Sequence, residues 1–228
     1  KFMSRAEPDA ALPASLKVRV KYNPNLVAVR FNAVMEVVNN IVIMAIILTG
    51  AAVIREREHG TIEHLLVMPV SAAEIMISKI WANGLVILAA VLLSLEFVVR
   101  RGLGVPLYGS MELFALGACM FLFSVAALGI MLATFTHSMP QFALLCIPVF
   151  VVMNLLSGGQ TPLESMPEFL QTVMQISPST HFIRFSQAVI YRDAPLDIVW
   201  PELALMLLIG TVFFVFAFQR FRASMAAR

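Results

Sequence analysis

The sequence predicts an all-α integral membrane protein, and three observations carry that expectation. Of its 228 residues 60% are hydrophobic and 13% charged, against about 45–50% and about 25% in soluble domains. The mean hydropathy is +0.86. Five apolar runs approach or exceed the roughly 20 residues that cross a bilayer core about 30 Å thick, and little chain is left for a soluble domain.

The chain opens KFMSRAEPDA, with neither an initiator Met nor an early apolar stretch, so no signal peptide is read there. Residues 1–35 are expected to be an external segment, the remnant of an extracytoplasmic domain, and residues 36–228 a transmembrane domain. The first span is placed at Val37 to Ile54 and the second at Ile80 to Val99. The third, Leu113 to Phe135, contains no charge. The fourth, Phe142 to Ser157, is short and contains Pro148, and the fifth runs from Ile198 to Phe218. An odd number of spans behind an external N-terminus is expected if another span precedes the first.

Charge counting does not orient these spans. On one side lie Arg55, Arg57, Lys79, Arg220, Arg222 and Arg228; on the other lie Arg100, Arg101, Arg184 and Arg192, to which the N-terminal tail adds Lys1, Arg5, Lys17, Arg19, Lys21 and Arg30. The usual cytoplasmic excess of Lys and Arg is therefore cancelled or reversed. The net charge of +2 says nothing about partners, and no basic block suited to nucleic acid is seen, so no nucleic-acid partner is expected.

The densest polar stretch is REREHGTIEHLLVMPVSAAE, residues 55–74, between the first two spans. A charge at the bilayer centre costs at least about 2.5–3.5 kcal/mol, so hydrocarbon must end at Arg55. Beyond Gly60, Ile62, Leu65 and Leu66 fall at i, i+3 and i+4, the stripe of a short amphipathic helix with Thr61 as N-cap. Pro69 ends it. Ser71-Ala-Ala-Glu74 is an S-x-x-E capping box, starting a helix that passes through Lys79 into the second span. By these features alone the loop is either a solvated connector lying on the lipid interface or a docking element for a cytoplasmic partner. His59 and His64 stand in an H-x-x-x-x-H spacing whose imidazoles point apart on a helix, and Cys119 and Cys146 lie inside apolar runs, so no metal site is expected.

With its continuation to Lys79, this stretch resembles the cytoplasmic signature of ABC-2 type transporter permeases, R-E-x-E-x-G-T-x-E-x-L-x-x-x-P-x-S-x-x-E-x-x-x-x-K. Arg55, Glu56, Glu58, Gly60, Thr61, Glu63, Leu65, Pro69, Ser71, Glu74 and Lys79 occupy the matching positions. The YNPN of Tyr22 to Asn25 resembles the end of the external domain in the drug-export branch. The resemblance implies the permease subunit of an ATP-driven exporter in the bacterial inner membrane. Those eleven residues would then couple it to a separate cytoplasmic ABC ATPase. A second permease subunit, as homodimer or heterodimer, and a periplasmic adaptor are the further partners implied. The family has six spans per subunit, so the first span and most of the external domain would be missing here. The sequence has no G-x-x-x-x-G-K-[ST] phosphate loop, so this chain is expected to bind no cofactor itself, with ATP and Mg held by the ATPase. The alternative reading is a non-transporting membrane anchor that recruits an ATPase. An intramembrane enzyme would need polar groups converging at mid-depth, where the third span offers only Ser124 and Thr134.

Between the fourth and fifth spans, Ser165-Met-Pro-Glu168 matches a second capping box, with Phe169, Leu170, Val173 and Met174 at helical spacing. Ser177-Pro178 breaks that helix, and Phe182, Phe185, Ala188 and Val189 form a second stripe, so an external amphipathic hairpin is expected. His137 is expected in a solvated turn, and His181 as a polar group at a helix start. Four polar residues are candidates for a translocation route: Asn39, Asn40, Glu96 and Glu202. Glu96 has a competing explanation as an i, i+4 partner of Arg100, and Glu202 as a first-turn carboxylate favoured by the helix dipole after Trp200-Pro201.

Overall fold

A computed structural model describes residues 28–59, 71–105, 107, 109–159 and 165–226. Every regular element among them is helical, as expected of an all-α integral membrane protein. In order these are α1 (Ala28–Glu58), α2 (Ala72–Leu93), α3 (Met111–Thr134), α4 (Met139–Leu156), α5 (Glu168–Met174), α6 (Pro178–Ser186) and α7 (Leu196–Ala226). Two π-helical stretches extend them: Ser94–Gly102 continues α2 and Gln187–Tyr191 continues α6. Five segments are long and apolar enough to cross a membrane, Val34–Glu58, Ala72–Gly102, Met111–Thr134, Met139–Leu156 and Leu196–Ala223.

The helices outrun their apolar runs because backbone hydrogen bonding, once started, does not stop where hydropathy does. At about 1.5 Å per residue the 31 residues of α1 extend about 46 Å, more than the hydrocarbon thickness. Arg55 to Glu58 therefore continue the helix past the apolar run. α2 begins as its capping box dictates: the Ser71 hydroxyl accepts from the Glu74 amide at 3.3 Å, and the Ser71 amide donates to Glu74 Oε2 at 2.7 Å. At the far end Gly104, at φ +61°, takes the left-handed turn that releases the chain.

Helix α3 is the hub, packed against α1, α2, α6 and α7. Lipid tails are as apolar as leucine, so spans associate through close packing and interhelical hydrogen bonds instead of through hydrophobicity. Small residues on α3 permit that approach. A Cβ on Gly129 would meet the Ile46 carbonyl oxygen of α1 at 2.8 Å, and one on Gly210 of α7 would lie 2.8 Å from Ser124 Cα. At that second crossing Ser124 Oγ donates to the Met206 carbonyl at 2.6 Å. The outward faces of α2, α4 and α7 carry Val86, Leu144, Ile147, Leu208 and Val212 exposed, the surface that lipid covers.

The hairpin is plugged into the hub by aromatic rings. Phe182 stacks on Phe121 of α3 with centroids 4.1 Å apart, and the Phe185 ring fills the space where Gly117 has no side chain. Phe182, Phe185 and Val189 are buried, as the second stripe requires. The first stripe is divided: Met174 is buried and Leu170 half-buried, while Val173 is exposed and Phe169 is 75% exposed, as suits a helix resting in the membrane interface. The second capping box does not form: α5 begins at Glu168 after Pro167, with no side-chain cap. Pro167 disfavours the helical region for Met166, which blocks an earlier start.

Candidate functional site

The last turn of α1 carries a run of alternating charges, and its consecutive side chains reach three different helices. Glu56 pairs with Lys79 of α2 in a partly buried salt bridge. Arg57 donates to the Thr136 carbonyl at 2.6 Å and the Ala133 carbonyl at 3.4 Å, at the C-terminal end of α3. Glu58 Oε1 accepts from the Met139 amide at 2.9 Å, at the N-terminal end of α4. Each sign suits its site: a cation meets the unsatisfied carbonyls that end a helix, and an anion meets the unsatisfied amides that begin one. At an angle of about 100° per residue, three successive side chains fan around the helix, which is why one turn serves three neighbours.

These contacts make a collar at one end of the bundle. His59 closes it by placing Nδ1 2.7 Å from the Arg55 carbonyl. The Glu56–Lys79 bridge joins the helices that flank segment 60–70, and the Ser71–Glu74 box fixes the re-entry of the chain. Glu56 Oε2 is buried and has no donor among the described residues. At the same end Arg220 of α7 stacks over Phe135, its guanidinium 4.1 Å from the ring centroid. Of the eleven signature residues, Arg55, Glu56, Glu58, Ser71, Glu74 and Lys79 lie in or against this collar. Gly60, Thr61, Glu63, Leu65 and Pro69 lie outside the described residues, as does the Tyr22 to Asn25 motif. Arg57, absent from the signature positions, is the residue that sequence reasoning passed over.

The four route candidates do not converge. Asn39 is buried in the core, whereas Asn40 is exposed on α1 and donates to the Glu36 carbonyl at 2.9 Å. Asn40 lines a groove of about 330 Å³ between α1 and α2, together with Met44, Ile87, Val91 and Ser94. Glu96 holds Arg100 at 3.1 Å and also Arg101 at 3.0 Å. The expected i, i+4 pair is thus joined by an i, i+5 partner that the wider π winding brings under the same carboxylate. Glu202 is not in a first turn, because α7 begins at Leu196 and Asp197 takes that place. It bonds His181 instead, at 2.6 Å; His181 lies in the first turn of α6, as expected, and is buried there.

Five helices long and apolar enough to cross a membrane, tied at one end by a charged collar, make a polytopic membrane domain. Residues 5–218 match the ABC-2 family transporter protein profile, and the chain belongs to that family. It is 48% identical over 221 residues to the inner membrane transport permease YhhJ of Escherichia coli (strain K12), covering 97% of this chain and 59% of that protein. It is 31% identical over 217 residues to the probable multidrug ABC transporter permease YbhR of the same organism, covering 92% and 56%. With the probable multidrug ABC transporter permease YbhS the identity is 26% over 201 residues, covering 88% and 53%. The chain thus spans between half and two thirds of the length of these relatives.

Proposed function

We propose that this chain is the membrane-spanning permease subunit of an ATP-binding-cassette exporter of the inner membrane, moving a drug, lipid or other amphiphile. A separate ATPase, holding ATP and Mg, supplies the energy. Family membership supports the permease role, and the multidrug names of two relatives favour efflux. The carrying observation is the collar: Glu56, Arg57 and Glu58 tie α1 to α2, α3 and α4 immediately before segment 60–70. A partner seated on that segment would move four helices as a unit. ATP drives a change of access only through a difference in its binding between two conformations, and such a difference has to cross a stiff joint. The collar end then faces the cytoplasm, where ATP is, and the α5–α6 hairpin faces outward. A second permease subunit completes the pathway, and a periplasmic adaptor fits the outer face.

Reconstitution of the full protein with its ATPase in vesicles tests this. Glu63→Lys and Gly60→Pro, both in the docking segment, are expected to leave folding intact and to abolish ATP-dependent cargo movement. Normal export by both variants refutes the role of the segment. Recruitment of the ATPase by the wild type without movement of any cargo would establish a membrane anchor instead.

A further inference from the structure

His181 is 3% exposed and has both ring nitrogens in contact with acceptors: Nδ1 lies 2.6 Å from Glu202 Oε2, and Nε2 lies 2.8 Å from the Gln175 carbonyl oxygen. A carbonyl only accepts, so the Nε2 contact needs an N–H. A neutral imidazole has only one N–H, and an ionised carboxylate also only accepts. The second contact therefore needs a second proton, either on Nδ1, giving an imidazolium against a carboxylate, or on Glu202, giving a carboxylic acid that donates to Nδ1. Either way the pair holds one proton more than a neutral imidazole beside a carboxylate.

We propose that His181 and Glu202 form a proton-binding site that latches the α5–α6 hairpin to α7. The ligand is a single proton, and its hydrogen bond joins residues 21 apart on two elements. Removing it leaves one N–H between two acceptors, so either Nδ1 faces the Glu202 carboxylate or Nε2 faces the Gln175 carbonyl without a hydrogen, and α6 loses its bond to α7 or to the end of α5. The latch is therefore complete only with the proton bound, and it loses one of its two contacts when the proton leaves. Glu202 is partly exposed, so the proton has a way in. Ser179 and Thr180, which precede His181, are also buried, and their hydroxyls have no partner among the described residues. That polar setting accommodates either protonation state better than hydrocarbon would.

Other ionisable side chains on the elements around α6 do not share the bond. Glu36 of α1, Glu112 and Cys119 of α3, Glu168 of α5, Asp197 of α7 and Arg184 of α6 itself are exposed, Cys146 of α4 is a buried thiol, and Tyr191 is half-buried. The inference does not depend on the exporter reading, and its test uses neither ATP nor cargo.

In the full protein in lipid nanodiscs, ¹⁵N spectra of labelled histidine, assigned by the loss of a signal in His181→Gln, report the proton directly. The expected result at neutral pH is one of two. Either His181 has two protonated nitrogens, or it has one and the infrared spectrum contains a protonated carboxyl band that Glu202→Gln removes. A bare Nδ1 with no such band overturns the proposal. The latch is read by maleimide labelling of Thr180→Cys in a Cys119→Ser, Cys146→Ala background, normalised to an exposed cysteine. Labelling is expected to rise at least about tenfold from acidic to alkaline buffer. With Glu202→Ala added it should be high throughout. Labelling that is indifferent to both pH and Glu202→Ala overturns the latch.

Discussion

Lys79→Glu is expected to reduce ATP-driven cargo movement in reconstituted vesicles by more than tenfold, and the double variant Glu56→Lys, Lys79→Glu is expected to recover most of it. Lys79 is only 12% exposed and faces a carboxylate that is 29% exposed, so neither charge is free to turn fully into water. Reversing one sign puts two carboxylates in contact across the α1–α2 gap. Breaking a buried pair in this way costs about 3–5 kcal/mol, toward the lower end for a pair with some solvent access. The strain falls on the two helix ends that flank segment 60–70, so docking fails even where the five spans assemble. Exchanging both residues restores attraction with the geometry kept, and the coupling energy from such a cycle should exceed about 1 kcal/mol. If the double variant were as inactive as the single one, Lys79 would act through something other than Glu56.

Gly129→Leu should prevent assembly of the bundle, whereas Gly84→Leu should leave it intact. A side chain at position 129 would begin 2.8 Å from the Ile46 carbonyl oxygen and 3.1 Å from Ile46 Cα. Those are backbone atoms inside a hydrogen-bonded helix and have no rotamer to change. α1 must then separate from α3, which forfeits the packing that replaces the hydrophobic effect between spans. Overpacking typically costs 1–3 kcal/mol, and against backbone about 3 kcal/mol or more is expected. A Cβ on Gly84 meets nothing within 4 Å. Size-exclusion profiles of the two variants in detergent check this: aggregation or loss of the position-129 variant beside a normal position-84 variant is the expected pattern. Equal behaviour would show that α1 and α3 do not cross at Gly129.

The five spans were legible because an apolar run of adequate length has few alternatives to a membrane helix. Their ends were not, since Arg55 to Glu58 stay helical through bonds that hydropathy does not register. The Ser71 capping box was legible because all its partners lie within four residues, whereas the Ser165 box was spoiled by Pro167 inside it. The collar could not be read locally: Arg57 finds its carbonyl 79 residues on and Glu58 its amide 81 residues on. A run of alternating charges in one helical turn, followed by a short turn between two later spans, is the signal that was available. Glu202 was misplaced because Pro201 looks like a first-turn proline, while α7 begins before it and tolerates it internally. The partner His181 was hidden for the same reason, since Pro178 marks a helix start without revealing that α7 covers it.

The most direct test of the central claim, that segment 60–70 hands the work of an ATPase to the collar, is photocrosslinking in the assembled transporter. A photoreactive amino acid at Leu65 should crosslink to the ATPase subunit, and one at Leu144, 75% exposed on the outward face of α4, should not. Crosslinking from Leu65 to lipid alone, with none to the ATPase, would contradict the account.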